Sequence, residues 1–524
     1  MSAVKFDCAL HCPLDGPRLT GRAADDRMMK FRQIAKGAMP GLCVAASALV
    51  LASCAFQGPR TPRINLPSGF EQAGQVPLAS LELDRWWVNF NDPQLNTLIE
   101  EAMQRAPDAL TASQRILEAQ ATRRSSVAQT LPRGNIAGNA SRRTTEDLGG
   151  GGSPLFPTGG TTENETLNFN VTWEIDLFGR VSAARRVAAN DFAAVRFNAE
   201  GSRAALVANV ADAYFQARGL AIQRRDAIET VRIQRELRHI AQVRSDRGLA
   251  AISDVQRIDG DLAQALSQVE NLTAELHAQQ RTLLVLVGRG FDPTESLPVD
   301  ATIADAPPVP DAIPGEILTR RPDVRESAAR LSGAIGRQRL QNLALYPTFN
   351  ILPGLGLSRS VSPGVAIGPN GGFVPATNTS SSGFWSFGLG VTIPVLDIPR
   401  LLEDIRAQDA RTEQAVIAYE RTVQTAYGEA DNALVRLASD ERRLAILKAG
   451  ELSARAASSA ARRRYQLGLD DLQTTLSAEQ AWRNTRAALT SQQVQTVRRA
   501  VQVYKALGGG WVSGSAAATG ERSR

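Results

Sequence analysis

Residues 165–180 read ETLNFNVTWEIDLFGR. Leu167, Phe169, Val171, Trp173, Ile175 and Leu177 take the odd positions, and Asn168, Asn170, Thr172, Glu174 and Asp176 the even ones. Strict alternation over this length describes a strand with one apolar and one polar face. The pattern returns when Trp385, Phe387, Leu389, Val391, Ile393 and Val395 alternate with Ser386, Gly388, Gly390 and Thr392. The first copy ends in LFGR and the second in LDIPR, so Arg400 answers Arg180.

The second strand belongs to a tandem repeat. Ala106-Pro107-Asp108-Ala109 returns as Arg321-Pro322-Asp323-Val324, and Leu131-Pro132 with Asn135-Ile136 returns as Tyr346-Pro347 with Asn350-Ile351, both offset by 215. Val171 and Val391, Gly248 and Gly468, and Ile252 and Leu472 are offset by 220. The insertion falls between the paired strands, where a loop tolerates it. Each repeat is expected to begin with a helix, about 93–128 and about 314–344. A strand follows near 132–143 and near 347–359. A Gly/Ser/Thr/Pro-rich exposed loop comes next, 144–163 and 360–383, and then the alternating strand. A very long helix, about 181–246 and 401–465, a glycine turn and a return helix, about 254–288 and 470–506, complete the unit. Val255, Ile258, Leu262, Leu266, Val269 and Leu272 step by three and four, as do Tyr419, Val423, Tyr427, Ala430, Leu434 and Leu437. That spacing is a packed helical seam, and a helix of roughly 65 residues runs roughly 100 Å.

Composition removes several function classes. All four cysteines, Cys8, Cys12, Cys43 and Cys54, lie in the first 54 of 524 residues, and the histidines are only His11, His239 and His277. Disulfide frameworks, thiolate metal sites and His-based catalytic clusters therefore have no material in the body of the chain. Residues 1–53 read as a signal peptide: Lys30, Arg32 and Lys36 form a basic region, 37–52 an apolar one. Met28 and Met29 offer a later start, because Asp7, Asp15, Asp25 and Asp26 do not suit a leader. Leu51-Ala52-Ser53-Cys54 resembles a lipobox, which would make Cys54 a lipidated first residue; a plain signal peptide with an incidental cysteine is the alternative. The remaining charges are mixed along helices, the pattern of solvated faces and not of a nucleic-acid surface.

Four strands with an apolar face and a Gly/Ser/Asn/Thr face carry the lipid-out, lumen-in pattern of a membrane barrel. They cannot close one alone, and an open edge cannot sit in lipid, so closure calls for other copies. A soluble sandwich packed on the helices is the competing arrangement, and it has no use for helices of this length.

Five ordered signatures then carry a family resemblance: Arg85–Pro93 (RWWVNFNDP), Trp173–Arg180 (WEIDLFGR), Arg320–Val324 (RRPDV), Tyr465–Gly468 (YQLG) and Val503–Trp511 (VYKALGGGW). The chain resembles the TolC-like outer-membrane factors, in the NodT-type lipoprotein branch serving RND multidrug efflux pumps. The resemblance covers about 54–511 and implies an α+β membrane protein. A homotrimer would form a twelve-stranded barrel in the outer membrane and a helical tunnel in the periplasm. A periplasmic membrane-fusion adaptor and an inner-membrane RND pump would be its partners, with no cofactor and no catalysed reaction. Residues 54–92 become an anchored linker and equatorial segment, 93–300 and 301–511 the two repeats, and 512–524 a disordered tail. A type I protein-secretion duct shares the fold, and a pore-less coiled-coil scaffold lipoprotein is the rival of another class.

The helix turns are the candidate gate. Gly248 and Gly468 suit a left-handed position just past a helix end, and Ser253 or Asp254 an N-cap of the return helix. The resemblance implies that these turns form a periplasmic tip held shut by hydrogen bonds, with Tyr465 facing Ser253 and Asp254, and that an adaptor docks there. This chain departs from the family pattern in carrying Asp470 where an arginine is common, and Thr474 and Ser477 where some members carry an aspartate ring. Either Arg247 or Arg464 would supply the missing cation, or the resting gate is looser. Asp470 and Asp471 either line the entrance or serve as first-turn acids. Trp86, Trp87 and Trp511 are expected in the band around the tunnel's middle, and Trp173 and Trp385 at bilayer interfaces.

Overall fold

The computed structural model describes residues 60–72, 76–77, 83–146, 160–311 and 314–509. The leader, Cys54, Trp511 and the tail lie outside the described residues. Four long strands, β1 (Arg133–Thr145), β2 (Gly160–Ile175), β3 (Thr348–Ile367) and β4 (Phe373–Thr392), form one antiparallel sheet in the order β1-β2-β3-β4. The longer helices are α1 (Pro93–Arg105), α2 (Pro107–Ala128), α3 (Arg180–Asp246), α4 (Ile252–Val287), α5 (Pro322–Asn342), α6 (Ile398–Gln466) and α7 (Leu472–Ala506), and a single turn, Ile317–Arg320, precedes α5. No described helix is long and apolar enough to cross a membrane.

The leading helix of each repeat is broken, contrary to the sequence expectation. Ala106 and Arg321 hold extended backbones, ψ 134° and 124°, each immediately before a proline. Proline clashes with an α-helical predecessor, and its own fixed φ suits the first position of a new helix. Asp92 caps α1, its Oδ1 accepting from the backbone N–H groups of Gln94 (3.1 Å) and Leu95 (3.2 Å).

The loop expected over 360–383 is mostly strand. β3 and β4 pair continuously from Thr348↔Thr392 to Ile367↔Phe373, and the chain reverses within 368–372. Backbone ladder bonds need no hydrophobic contrast, and a run such as Thr379–Ser382 is as free to pair as an alternating one. The first loop shortens likewise, because β1 runs to Thr145 and β2 starts at Gly160, paired with it.

α3 and α6, with 67 and 69 residues, span roughly 100 Å each. Near the sheet the helix order is α2-α3-α5-α6, and away from it α4-α3-α7-α6, so two through-going helices carry two shorter partners each. The main core sits where these sets meet. Trp86 and Trp87 are buried there, Trp86 stacked on Tyr504 with centroids 5.7 Å apart, and Phe90 packs on Phe215. Asp92 also accepts from the Tyr214 hydroxyl (2.9 Å) and pairs with Arg218, which pins this N-terminal segment to α3. A smaller core near the helix turns joins Ile233, Leu237, Val255, Ile258, Tyr465, Leu472 and Leu476.

The duplication extends to the backbone. Gly288 and Gly508, again 220 apart, close α4 and α7 in left-handed conformations, φ +87° and +83°. A Cβ on Gly288 would strike the backbone of Arg105 and Ala106, and one on Gly508 that of Arg320 and Arg321. In both repeats the return helix therefore ends against the break before the Pro-Asp helix.

Candidate functional site

Antiparallel partners share a sheet face. The register aligns Ile175, Phe349 and Val391, then Trp173, Ile351 and Leu389, then Phe169, Leu355 and Trp385 with Ile136, then Leu167 with Leu357. Val171 and Phe387 fall on the same face between them. Along the strand these rows span about 27 Å at ~3.4 Å per residue. The apolar side chains are exposed, Trp385 to 78 % and Phe387 to 69 %. Beyond the apolar rows the same face carries the pairs Glu165–Arg359 and Glu163–Arg142, each at 3.6 Å. Trp173 lies in a row near the helical end of the band and Trp385 in a row near the far end.

The opposite face carries Asn168, Asn170, Thr172, Glu174, Gly354, Gly356, Ser358, Ser386, Gly388 and Gly390. Ser358 and Ser382 bond across it at 2.8 Å, and the Ser360 hydroxyl donates to Asn164 at 2.7 Å. Leu352, Phe384 and, in the outer part of the hairpin, Val374 are the large apolar exceptions; the Phe384 ring lies over Gly356, where any side chain would clash. Both outer strands, β1 and β4, have an unpaired edge within the chain.

At the junction Arg180 opens α3 and binds Glu174 through both carboxylate oxygens. Asp176 accepts from the N–H groups of Val181 (2.9 Å) and Ser182 (3.0 Å), which satisfies the helix start. Arg400 has a different setting: it is exposed and pairs along its own helix with Asp404 at 2.8 Å.

Both helix turns close with the same motif. Gly248 (φ +73°) donates to Ser245 and Leu249 to Arg244, both at 2.8 Å. Gly468 (φ +74°) donates to Tyr465 at 3.0 Å and Leu469 to Arg464 at 2.9 Å. These are paired C-terminal bonds around a left-handed glycine. The expected N-cap at Ser253 or Asp254 is not formed: α4 starts at Ile252, and Ala251 precedes it without a side-chain cap. The helix begins earlier than expected, so Asp254 is a first-turn acid acting on the helix dipole. Asp471 is the true N-cap of α7, accepting from the Thr474 N–H at 2.6 Å, and that bond holds its carboxyl below the usual range. Asp470 pairs with Arg464 at 3.0 Å.

The Tyr465 ring is buried beneath the Arg244 guanidinium, 4.9 Å from its centroid. Burial first, and the charge of Asp254 to a lesser degree, push its hydroxyl up. Among the described residues that hydroxyl makes no hydrogen bond to Ser253 or Asp254. Leu249, Ile252, Leu467 and Leu469 stand exposed around the turns.

A matched repeat, a four-stranded sheet with open edges and ~100 Å helices is a combination that comparison can test. The outer membrane efflux protein family model matches residues 98–289 and 313–509. The chain belongs to the outer membrane efflux protein family. It is 27 % identical over 480 residues to the pyoverdine export outer membrane protein OpmQ of Pseudomonas putida, covering 90 % of this chain and 98 % of the relative. It is 25 % identical over 476 residues to the cation efflux system protein CusC of Escherichia coli, covering 90 % and 98 %. The outer-membrane channel OprN superposes with a TM-score of 0.72 at 26 % identity, over 87 % of this chain and 99 % of that one. The open-state MtrE channel of Neisseria gonorrhoeae shares the fold, with a TM-score of 0.71 at 22 % identity over 87 % and 98 %. This efflux-family chain is thus an outer-membrane component of an efflux system, and its relatives are channels or ducts and not enzymes.

Two features of this family member were not read from the sequence. One is the Gly288–Gly508 pair, which the 220-residue offset would have exposed. The other is the path of residues 60–72 along α6. Arg60 pairs with Glu413 (2.8 Å) and Glu420 (2.7 Å), Phe70 stacks on Tyr427 at 5.6 Å, and the Glu71 N–H donates to Asp431 at 2.9 Å. No periodicity announces an irregular strap of this kind.

Proposed function

We propose that three copies close the sheet into a twelve-stranded barrel and that solutes leave through it. Leu167, Phe169, Val171, Trp173, Ile175, Trp385, Phe387, Leu389, Val391 and Ile393 meet outer-membrane lipid, and the polar face lines the lumen. The observation that carries this is the register: one pairing scheme puts Ile136 and the alternating apolar residues of β2, β3 and β4 on one face, with few exceptions, while β1 and β4 keep free edges. Free edges in lipid must be paired, which only other copies can do. OpmQ is named for pyoverdine export and CusC for cation efflux; by analogy the cargo here is a small molecule or ion, with drugs among the candidates.

The turns around Gly248, Ser253, Asp254, Tyr465, Gly468, Asp470 and Asp471 form the gated periplasmic tip. Exposed Leu249, Ile252, Leu467 and Leu469 give a periplasmic adaptor an apolar surface, and the adaptor links the channel to an inner-membrane RND pump. Cys54 is the lipidation site. The Leu51-Ala52-Ser53-Cys54 lipobox pattern supports this. Mass spectrometry of the mature N-terminal peptide checks the lipid; an unmodified Cys54 peptide refutes it.

The barrel reading is tested in planar bilayers and by face-specific substitution. Purified protein should give discrete conductance steps. Leu389→Arg should cost about 2–4 kcal/mol of barrel stability, while Ser386→Arg on the other face should be tolerated and alter conductance. Equal effects at the two positions, or a protein without conductance, would overturn the assignment.

A further inference from the structure

Where the polar face of the sheet gives way to helices, the wall is indented by a recess of about 540 Å³. Arg133, Thr172, Glu174 and Asn350 reach it from the strands, Thr130 from the end of α2 and Arg180 from the start of α3. The polar face of the described strands is otherwise almost uncharged: among its paired residues only Arg133, Arg143 and Glu174 carry charge.

The acids at the recess are matched. Glu174 is held by Arg180. Asp191, which also lines the recess, accepts from Arg337 through both oxygens at 2.8 and 2.9 Å. Two cations beside them are not matched. Arg133 donates through Nε (3.2 Å) and Nη2 (2.7 Å) to the Gln129 carbonyl. Arg185 donates through Nε (2.9 Å) and Nη2 (2.8 Å) to the Thr130 hydroxyl. These acceptors are neutral, so among the described residues both positive charges stand uncompensated, and each guanidinium has an Nη1 with no described partner. Closing the sheet would bring β4 of another copy beside β1. Its polar-face residues, from Val374 to Thr392, include no acid.

We propose that this recess is an anion-binding step in the channel wall, taking a carboxylate or similar small anionic group, and that it biases transport towards anionic solutes. Guanidinium groups suit planar carboxylates, and uncompensated charge on a confined wall concentrates counter-ions. The proposal rests on the reading that the polar face lines the channel.

Reversal potentials across a potassium chloride gradient test it. At about 0.1 M salt the chloride-to-potassium permeability ratio should exceed one. It should approach one at about 1 M, where screening shortens from ~10 to ~3 Å. Arg133→Gln with Arg185→Gln should lower the ratio at least about two-fold, and the corresponding lysine pair should restore it. Citrate added as a probe should reduce the chloride current of the unmodified channel and not that of the glutamine pair. A protein that does not conduct rejects the channel reading itself. A conducting channel whose ratio is one or less, or is unchanged by the glutamine pair, overturns the inference alone.

Discussion

Gly248 and Gly468 show how a single backbone angle shapes the tip. A Cβ in the left-handed region costs about 1–2 kcal/mol, although neither site has a neighbour within 4 Å. Gly468→Val is expected to speed hydrogen exchange over 464–472 while leaving the main unfolding temperature almost unchanged; a uniform loss of stability would refute this. Arg321 is the opposite kind of residue, buried and fully engaged. It bonds Asp323 (3.0 and 2.7 Å), Glu429 (2.7 Å) and the carbonyl of Ala506 (3.1 Å). Arg321→Met should cost about 1–3 kcal/mol in thermal unfolding, because the buried Ala506 carbonyl loses its donor while the half-exposed Asp323 and Glu429 carboxylates return to water. Burial alone would raise Asp323, but the Arg321 bond and charge hold its carboxyl below the usual range. A lowered carboxyl stabilises the fold above its unfolded pKa, near 4, and that contribution fades as pH falls through the folded value. Unfolding temperatures measured between pH 6 and pH 2 should therefore drop more steeply for the unmodified protein than for Arg321→Met.

Among the elements, the β3–β4 hairpin is the strand pair whose extent departs furthest from the sequence reading. β2 stops pairing with β3 at Glu163↔Val361, while β4 continues to Phe373. The last six residues of β3 thus pair with β4 alone, about 20 Å of two-stranded ribbon. A two-stranded ribbon adds little to a sheet that is stable without it. Removing residues 363–377 and joining Ser362 to Asn378 through a two-residue turn should leave assembly and conductance steps intact; failure to assemble would show that the ribbon organises the barrel. The helices were easier to read. Alanine-rich, three-and-four-spaced seams placed α3 and α6 to within a few residues, because a pattern sustained over many turns averages out local exceptions. The breaks at Ala106 and Arg321 were missed, although each residue precedes a proline that disfavours a helical predecessor.

On the scale of the whole molecule, function depends on surfaces that one copy leaves open. Tyr465 keeps its ring in the core near the turns while its hydroxyl has no bond to Ser253 or Asp254 within the chain. A gate bond from Tyr465 would then have to cross to another hairpin on assembly. Tyr465→Phe with Asp254→Ala keeps the packing and removes the polar link, so single-channel conductance should rise. Unchanged conductance would remove these residues from the gate.

The sequence by itself determined the repeat, the helical seams, the two-faced strands and the glycine turns, because each depends on spacing along one chain. Only the tertiary structure decided which strands are neighbours, that Asp471 and not Asp254 caps a return helix, that Arg464 answers Asp470, and that Arg133 and Arg185 stand uncompensated beside a recess. Those outcomes depend on contacts between residues far apart in the chain or on where a helix starts within one residue. Side-chain type and spacing leave both undetermined.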